Sequence, residues 1–280
     1  MGNLTANRGI NRRKKMMLVV GVSLLILFAI MIIGNRIEPD SLVANFSEKR
    51  QAPSAEHPFG TDTVGRDMLY RCLKGLSTSI QIGLISSLLG ALLALVLGLA
   101  AALLGPKCDH VITWFVDLCM SVPHMVLMLM ISFMLGGGTK GVALSVAVTH
   151  WPGITRIVRA EVLQLRNAQF VLVAEKLGQS KLRIAVRHIL PHVLPQFLVG
   201  LVLMFPHAIM HEASITFLGF GLSMDTPAIG VILSESMKNL PMGMWWTALY
   251  PGIMLFGIVA MFHIIGKNIQ ALLNPYTGNE

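Results

Sequence analysis

The sequence predicts an all-α, polytopic membrane protein with about six transmembrane helices, and three observations carry that expectation. Of the 280 residues, 54% are hydrophobic and only 13% charged, with a mean hydropathy of +0.67. A soluble chain of this length carries about 25% charged residues to cover its surface, so half of the usual solvating groups are missing and lipid must take their place. A bilayer core about 30 Å thick needs roughly 20 apolar residues, and runs of about that length recur at 16–34, 80–104, 111–135, 142–158, 196–218 and 247–265. The net charge of +8 sits in short basic blocks between those runs, as the positive-inside rule requires of cytoplasmic loops. It forms no groove-reading helix and no patch interleaved with aromatics, so the implied partner is the lipid bilayer and not nucleic acid.

In chain order, Arg12-Arg13-Lys14-Lys15 precedes the first run in the manner of a signal peptide. The run exceeds a usual h-region and no A-x-A site follows, so an uncleaved first span is expected. A cytoplasmic N-terminus, 1–15, then leads into one transmembrane domain, 16–280. With that end inside, the loops after the second and fourth spans and the C-terminus are cytoplasmic. The loop 159–195 agrees, carrying Arg166, Lys176, Lys181, Arg183 and Arg187 against Glu161 and Glu175. The outer segment 35–79 is mixed in sign, and 223–246 is nearly neutral and ends on Trp245 and Trp246, where an interfacial aromatic belt would fall. Cys72, Cys108 and Cys119 have no CxxC spacing and read as packing residues rather than a disulfide or zinc framework.

The most informative loop is 166–195, RNAQFVLVAEKLGQSKLRIAVRHILPHVLP. Helical periodicity flanks Gly178, which suits a left-handed helix cap. Ser180 suits the N-cap of a second helix, and Pro191 is expected to stop that helix. Val173, Ala174 and Leu177 form a small apolar patch. The arrangement reads either as an amphipathic loop at headgroup level or as a coupling helix, a rigid knob that docks in a groove of a partner and passes its movement to the spans.

The same loop resembles the cytoplasmic loop of the permeases of binding-protein-dependent ATP-binding-cassette importers, through Ala174, Gly178, Leu190 and Pro191. Leu172, Val173 and His188 depart from that pattern, which has Glu, Ala and Ile there. HPFGTDTVGRDMLYRCLKG is similar to the signature of the dipeptide, oligopeptide and nickel permeases at Gly60, Thr61, Asp62, Gly65, Arg66 and Asp67. Glu212-Ala213-Ser214 with Phe217-Leu218-Gly219, then Pro251-Gly252, Gly266 and Asn274-Pro275, extend the likeness, although Lys267 and Asn274 replace its usual aspartates. The resemblance implies a type I importer permease fold in the inner membrane. It also implies a sister permease in a heterodimer, two ATPase subunits and an extracytoplasmic solute-binding protein. No GxxxxGK[ST] loop is present, since Gly266-Lys267 runs into Asn268. ATP is therefore expected to be used by partners, and no cofactor and no catalysis by this chain.

Within the fifth run, Met204-Phe-Pro-His207-Ala-Ile-Met210-His211-Glu212 carries the substrate question. Pro206 would kink the helix near mid-membrane, where transporters place their sites. His207 and His211 share a helical face with Met204 close to the same stripe; imidazole suits nickel, copper and zinc, and thioether suits softer ions. These residues, with Met210, are candidate transit ligands, His207 and His211 the metal-binding pair. The competing reading is that each histidine hydrogen-bonds across a helix interface. The resemblance leans to the nickel branch, which carries two histidines at matching positions. His124, His150 and His263 are expected to be hydrogen-bonded core groups, and Asp117 to pair with Arg156 or Arg159. The functional expectation is half of a translocation pathway for nickel or a chelated transition metal, with peptide import as the alternative. A channel or scaffold is a third class, but no charged ring or filter sequence appears.

Overall fold

The computed structural model describes residues 2–38 and 43–273; Asn274 and Pro275 lie outside them. The described residues form ten α-helices and no strand, with one isolated bridge between Thr61 and Asp67. The helices are α1 (Gly2–Arg36), α2 (Met68–Leu103), α3 (Pro106–Ser121), α4 (His124–Met134), α5 (Gly138–Arg166), α6 (Gln169–Lys176), α7 (Lys181–Ile184), α8 (Leu190–Phe217), α9 (Ile229–Asn239) and α10 (Trp246–Leu273).

Four stretches are long and apolar enough to cross a membrane: Arg13–Arg36, Met68–Leu103, Lys181–Phe217 and Trp246–Leu273. The run expected as an unbroken third span is instead two helices, α3 and α4, bent by 98°. The cause lies between them: Pro123 has no N–H to donate and pushes Val122 to extended backbone (φ −89°, ψ 137°). Counted as one broken span, α3 and α4 bring the number among the described residues from four to five. The expected fourth span, 142–158, lies in α5, whose 29 residues reach about 43 Å at 1.5 Å each. It is long enough but not apolar enough to be counted with these stretches, so four to five spans stand among the described residues where about six were expected; its polar groups have internal partners. Thr149 donates to Ser145 O at 2.8 Å and Thr155 to Ala94 O at 3.4 Å. Arg156 pairs with Asp117 and Arg159 with Asp109.

The core is assembled around α2, which packs on α1, α5 and α8. Close approach sets its composition: a Cβ on Gly90 would lie 2.6 Å from Met204 Cε and 2.9 Å from Ala147 O. Small residues in a membrane helix let backbones approach to where dispersion forces act. One end of the bundle carries α6 and α7 and is termed the coupling end; the opposite end carries α9.

At the coupling end Gly178 ends α6 with φ +76°, its N–H donating to Glu175 O at 2.9 Å while Gln179 N–H reaches Ala174 O at 3.1 Å. Ser180 caps α7 by accepting from Arg183 N at 3.4 Å. Pro191 does not stop the second helix. α7 passes through a π-helical turn, Ala185–Ile189, into α8, and Pro191 lies in the first turn of α8, where its missing N–H costs no hydrogen bond. The expected fifth span therefore begins at Leu190 rather than near Gln196.

Candidate functional site

Where α4, α5 and α8 meet, three imidazoles converge. His124 follows the α3–α4 break, His150 lies in the middle of α5, and His211 lies one turn beyond His207 on α8. Each offers a ring nitrogen, and those nitrogens all lie within 4.8 Å of one another. Ring centroids are 4.6 Å apart for His124 and His150, 4.9 Å for His124 and His211, and 5.1 Å for His150 and His211.

Two of the rings are oriented from behind. His150 Nδ1–H donates to Val146 O at 2.8 Å, and His211 Nδ1 lies 3.2 Å from the Met125 thioether. Occupying Nδ1 leaves Nε2 as the lone-pair nitrogen, the device by which metal-binding histidines are held in one tautomer. His150 Nε2 is buried and has no hydrogen-bond partner. A buried polar atom without a partner is costly in a structural cluster but is what an incoming ligand uses. Nitrogens around a four-coordinate ion at 2.0–2.1 Å must be about 3.3 Å apart, so the set would draw in by an ångström or so on binding. That looseness suits a site that must let its cargo go.

The fifth-span expectation thus divides. His211 joins the cluster; His207, one turn toward the coupling end, is exposed on the same stripe. Met204 and Met210 do not join. Met204 is 5% exposed and turned onto Gly90 of α2, because position 204 lies about 60° around the helix from 207. Met210 lies with Leu233 and Leu255 around a separate cavity. His124 and His150, expected to be hydrogen-bonded core groups, are the partners that sequence reasoning missed. Pro123-His124 and His150 through Pro152, histidine beside a helix breaker in two different runs, was the available signal. A cavity of about 490 Å³ opens beside the centre, lined by Cys119, Met120, His124, Thr149, His150 and Gly153 among others. Cys119 is therefore a wall residue and not only packing.

Glu212, the neighbour of His211, faces the other way and is fully buried. Its Oε1 accepts from Thr216 Oγ1 at 3.1 Å, its Oε2 is buried without a hydrogen-bond partner, and Ser79 Oγ accepts from Ile229 N at 3.3 Å. Ser79 thereby seats the N-terminus of α9 on α2.

At the α9 end the signature loop is a clamp. Asp62, 1% exposed, accepts from Arg66 Nε at 2.6 Å, Arg71 at 2.8 Å and the Val64 and Arg66 backbone N–H groups, each at 2.9 Å. Arg71 continues to Glu235 of α9 at 2.7 Å. Asp67 caps α2 through Leu69 N at 2.8 Å. Gly60 and Gly65 turn the loop with positive φ. Trp246 is not an interfacial belt residue; it is 7% exposed and donates to Thr61 O at 3.0 Å, while Trp245 stays half exposed.

At the coupling end, of the three residues expected to form a patch, Ala174 is buried, while Val173 and Leu177 are exposed beside Leu182 and Val186. The knob therefore presents an unpartnered apolar surface on two short helices with a rigid turn between them.

A bundle of helices long and apolar enough to cross a membrane, with a histidine centre beside a broken helix, is the architecture of a polytopic membrane protein. Residues 94–277 match the family described as binding-protein-dependent transport system inner membrane component, and the chain belongs to that family. It is 34% identical over 275 residues to a putative peptide transport system permease protein of Brucella suis, covering 97% of this chain and 91% of that one. It is 29% identical to the dipeptide transport system permease protein DppC of Bacillus subtilis, covering 90% and 79%. It is 32% identical to the nickel transport system permease protein NikC of Escherichia coli K12, covering 82% of each. The fold is similar to that of the MetNI methionine ABC transporter in an inward-facing conformation, with TM-score 0.61 at 17% identity, covering 74% of this chain and 98% of that one. The chain is therefore a multi-pass membrane component of a binding-protein-dependent importer, with the type I permease fold.

Proposed function

We propose that this permease forms half of a translocation pathway for a transition metal, nickel or a small chelate of it, and that His124, His150 and His211 are its transit ligands, with His207 one turn along the path. The observation that carries this reading is the unpartnered, buried Nε2 of His150 within reach of two further imidazoles. Neutral nitrogen donors suit nickel, copper and zinc and disfavour magnesium and calcium. The chain itself does no chemistry: it holds the cargo and moves.

Movement is supplied by partners. The knob at Gly178 docks on one of two ATPase subunits, a sister permease closes the open side of the pathway, and a solute-binding protein delivers cargo at the α9 end. On this reading the coupling end and both termini face the cytoplasm.

Peptide import is the second reading, favoured by the identity to the Brucella peptide permease over nearly the whole chain. The experiment that tests both is uptake by the reconstituted complex with nickel, cobalt and dipeptides in competition. Nickel uptake blocked by cobalt and indifferent to dipeptide supports the metal reading. Dipeptide uptake indifferent to metals and to His124→Ala, His150→Ala, His211→Ala overturns it.

A further inference from the structure

The three imidazoles of the histidine centre bring no negative charge, and a charged pair lies one helical turn beyond their cavity. Asp117 of α3 precedes Met120 and Ser121 by three and four positions, and Arg156 of α5 follows Gly153 and Pro152 by the same spacing. Those four residues line the cavity, and residues three or four apart share a helical face. Asp117 and Arg156 therefore extend its two walls by a turn, and they meet there, Arg156 Nη2 donating to Asp117 Oδ1 at 2.5 Å. The ends of α2 and α5 come together at the coupling end, where Arg166 reaches Ala102 O at 3.5 Å. Since α3 leaves that end and α5 arrives at it, the pair closes the cavity on the coupling side.

A second pair ties the same two helices, with Arg159 donating to both Asp109 oxygens at 2.5 and 2.6 Å. The two are built differently. The side chains of Asp109 and Arg159 form a two-bond fork and are 24% and 30% exposed, whereas Asp117 and Arg156 share one bond and are 66% and 51% exposed. Both of the latter fall within apolar runs, 111–135 and 142–158, and charges exposed within such runs face a water-filled space rather than lipid. A one-bond pair in contact with water is weak enough to open.

We propose that the Asp117–Arg156 pair is the exit gate of the metal pathway, and that Asp117 is the next ligand of the cation after the histidine centre. Closed, the Arg156 guanidinium stands between the centre and the coupling end. Its positive charge repels a dication, and it occupies the carboxylate that would take one. Arg156 lies on α5, which leads into α6 of the knob, so a pull on the knob draws it from α3 while the stronger Asp109–Arg159 fork serves as the pivot. The freed carboxylate then offers the ion the negative charge that three imidazoles lack, and draws it off. The inference rests on a transition metal being the cargo, and the experiment separates the two.

The test uses the full complex in proteoliposomes with the ATPase subunits facing outward. The complex is loaded with cobalt, whose visible absorption reports its ligands, and release is timed after EDTA, which does not cross the bilayer, is added outside. The amplitude of the absorption normalises each rate to complexes whose centre is intact. Arg156→Gln and Asp117→Asn remove the same ion pair, so a pair that only ties α3 to α5 makes the two variants behave alike. The gate makes them opposite. Arg156→Gln is expected to speed release about 10-fold or more, and Asp117→Asn, which leaves Arg156 in the path without its partner, to slow it by as much. Release rates that move together, or that match wild type in both variants, overturn the gate and leave the cargo reading standing. Cobalt absorption that is absent in wild type, or that survives His124→Ala, His150→Ala, His211→Ala, removes the cargo reading and the gate with it.

Discussion

Two polar clusters sit in this apolar chain, and they are built on opposite terms. In the signature clamp, Asp62 is met by two guanidinium groups and two backbone N–H groups, and Arg71 spends its second donor on Glu235. At the histidine centre each oriented ring is held through Nδ1 only, and His150 Nε2 faces two other imidazoles with no partner. The first cluster is closed and fixes where α9 lies on α2. The second is open, beside a cavity and a broken helix, and has room for something that is not protein. An unsatisfied buried nitrogen that also faces two further donors beside a cavity is what separates the second cluster from the first.

The contrast breaks or sharpens under mutation, with the largest effect expected at the clamp. Asp62→Ala leaves two arginines without their shared acceptor, one of them 4% exposed, and removing one partner of a buried pair costs about 3–5 kcal/mol. Thermal unfolding of the detergent-solubilised complex checks this, and an unfolding temperature near that of wild type would make the clamp no more structural than the histidines.

His150→Ala with His211→Ala comes next and should act on a different assay. Nickel uptake is expected to fall about 10-fold or more, while stability drops by no more than about 1–2 kcal/mol, the scale of cross-helix hydrogen bonds in membranes. If unfolding shifts as far as in Asp62→Ala while uptake per folded complex is unchanged, the centre is structural.

Gly90→Val tests the packing beneath the centre. Its new side chain would press on Met204 and Ala147, and overpacking of this kind costs about 1–3 kcal/mol. Because Ala147 is one turn from His150 on α5, uptake is expected to fall together with stability, and a loss of stability at full uptake would show the centre to be insulated from the α2 seam.

Gly178→Val should be milder for the fold, since φ +76° costs a β-branched residue about 1–2 kcal/mol in an exposed turn. The expected outcome is normal membrane insertion with cargo-stimulated ATP hydrolysis lost, and retained stimulation would sever the knob from coupling. The smallest change is Met125→Leu, which keeps volume at a stability cost under about 1.5 kcal/mol but frees His211 Nδ1. A few-fold weakening of metal uptake is expected, and an unchanged uptake curve would confine the thioether to packing.

What the sequence determined by itself was everything governed by short range and by solvent. Runs of apolar residues must lie in lipid, so the membrane class and most spans were legible. Gly178 and Ser180 fix a turn through local φ and local capping, so the knob was legible too, and the signature loop was found through its Asp62, Arg66 and Asp67 even though its clamp on Glu235 was not. Tertiary structure decided what crosses between distant runs. A proline inside an apolar run, such as Pro123, can either kink a helix or end it, and only packing against α5 and α8 selects the 98° break. Helical spacing put Met204 beside His207, yet the close approach permitted by Gly90 drew that methionine into the α2 seam. The partners of His211 lie 61 and 87 positions earlier in the chain, at His150 and His124. No periodicity reaches across such separations; three imidazoles meet only when α4, α5 and α8 pack, which is why a single face of one helix pointed to the site but could not complete it.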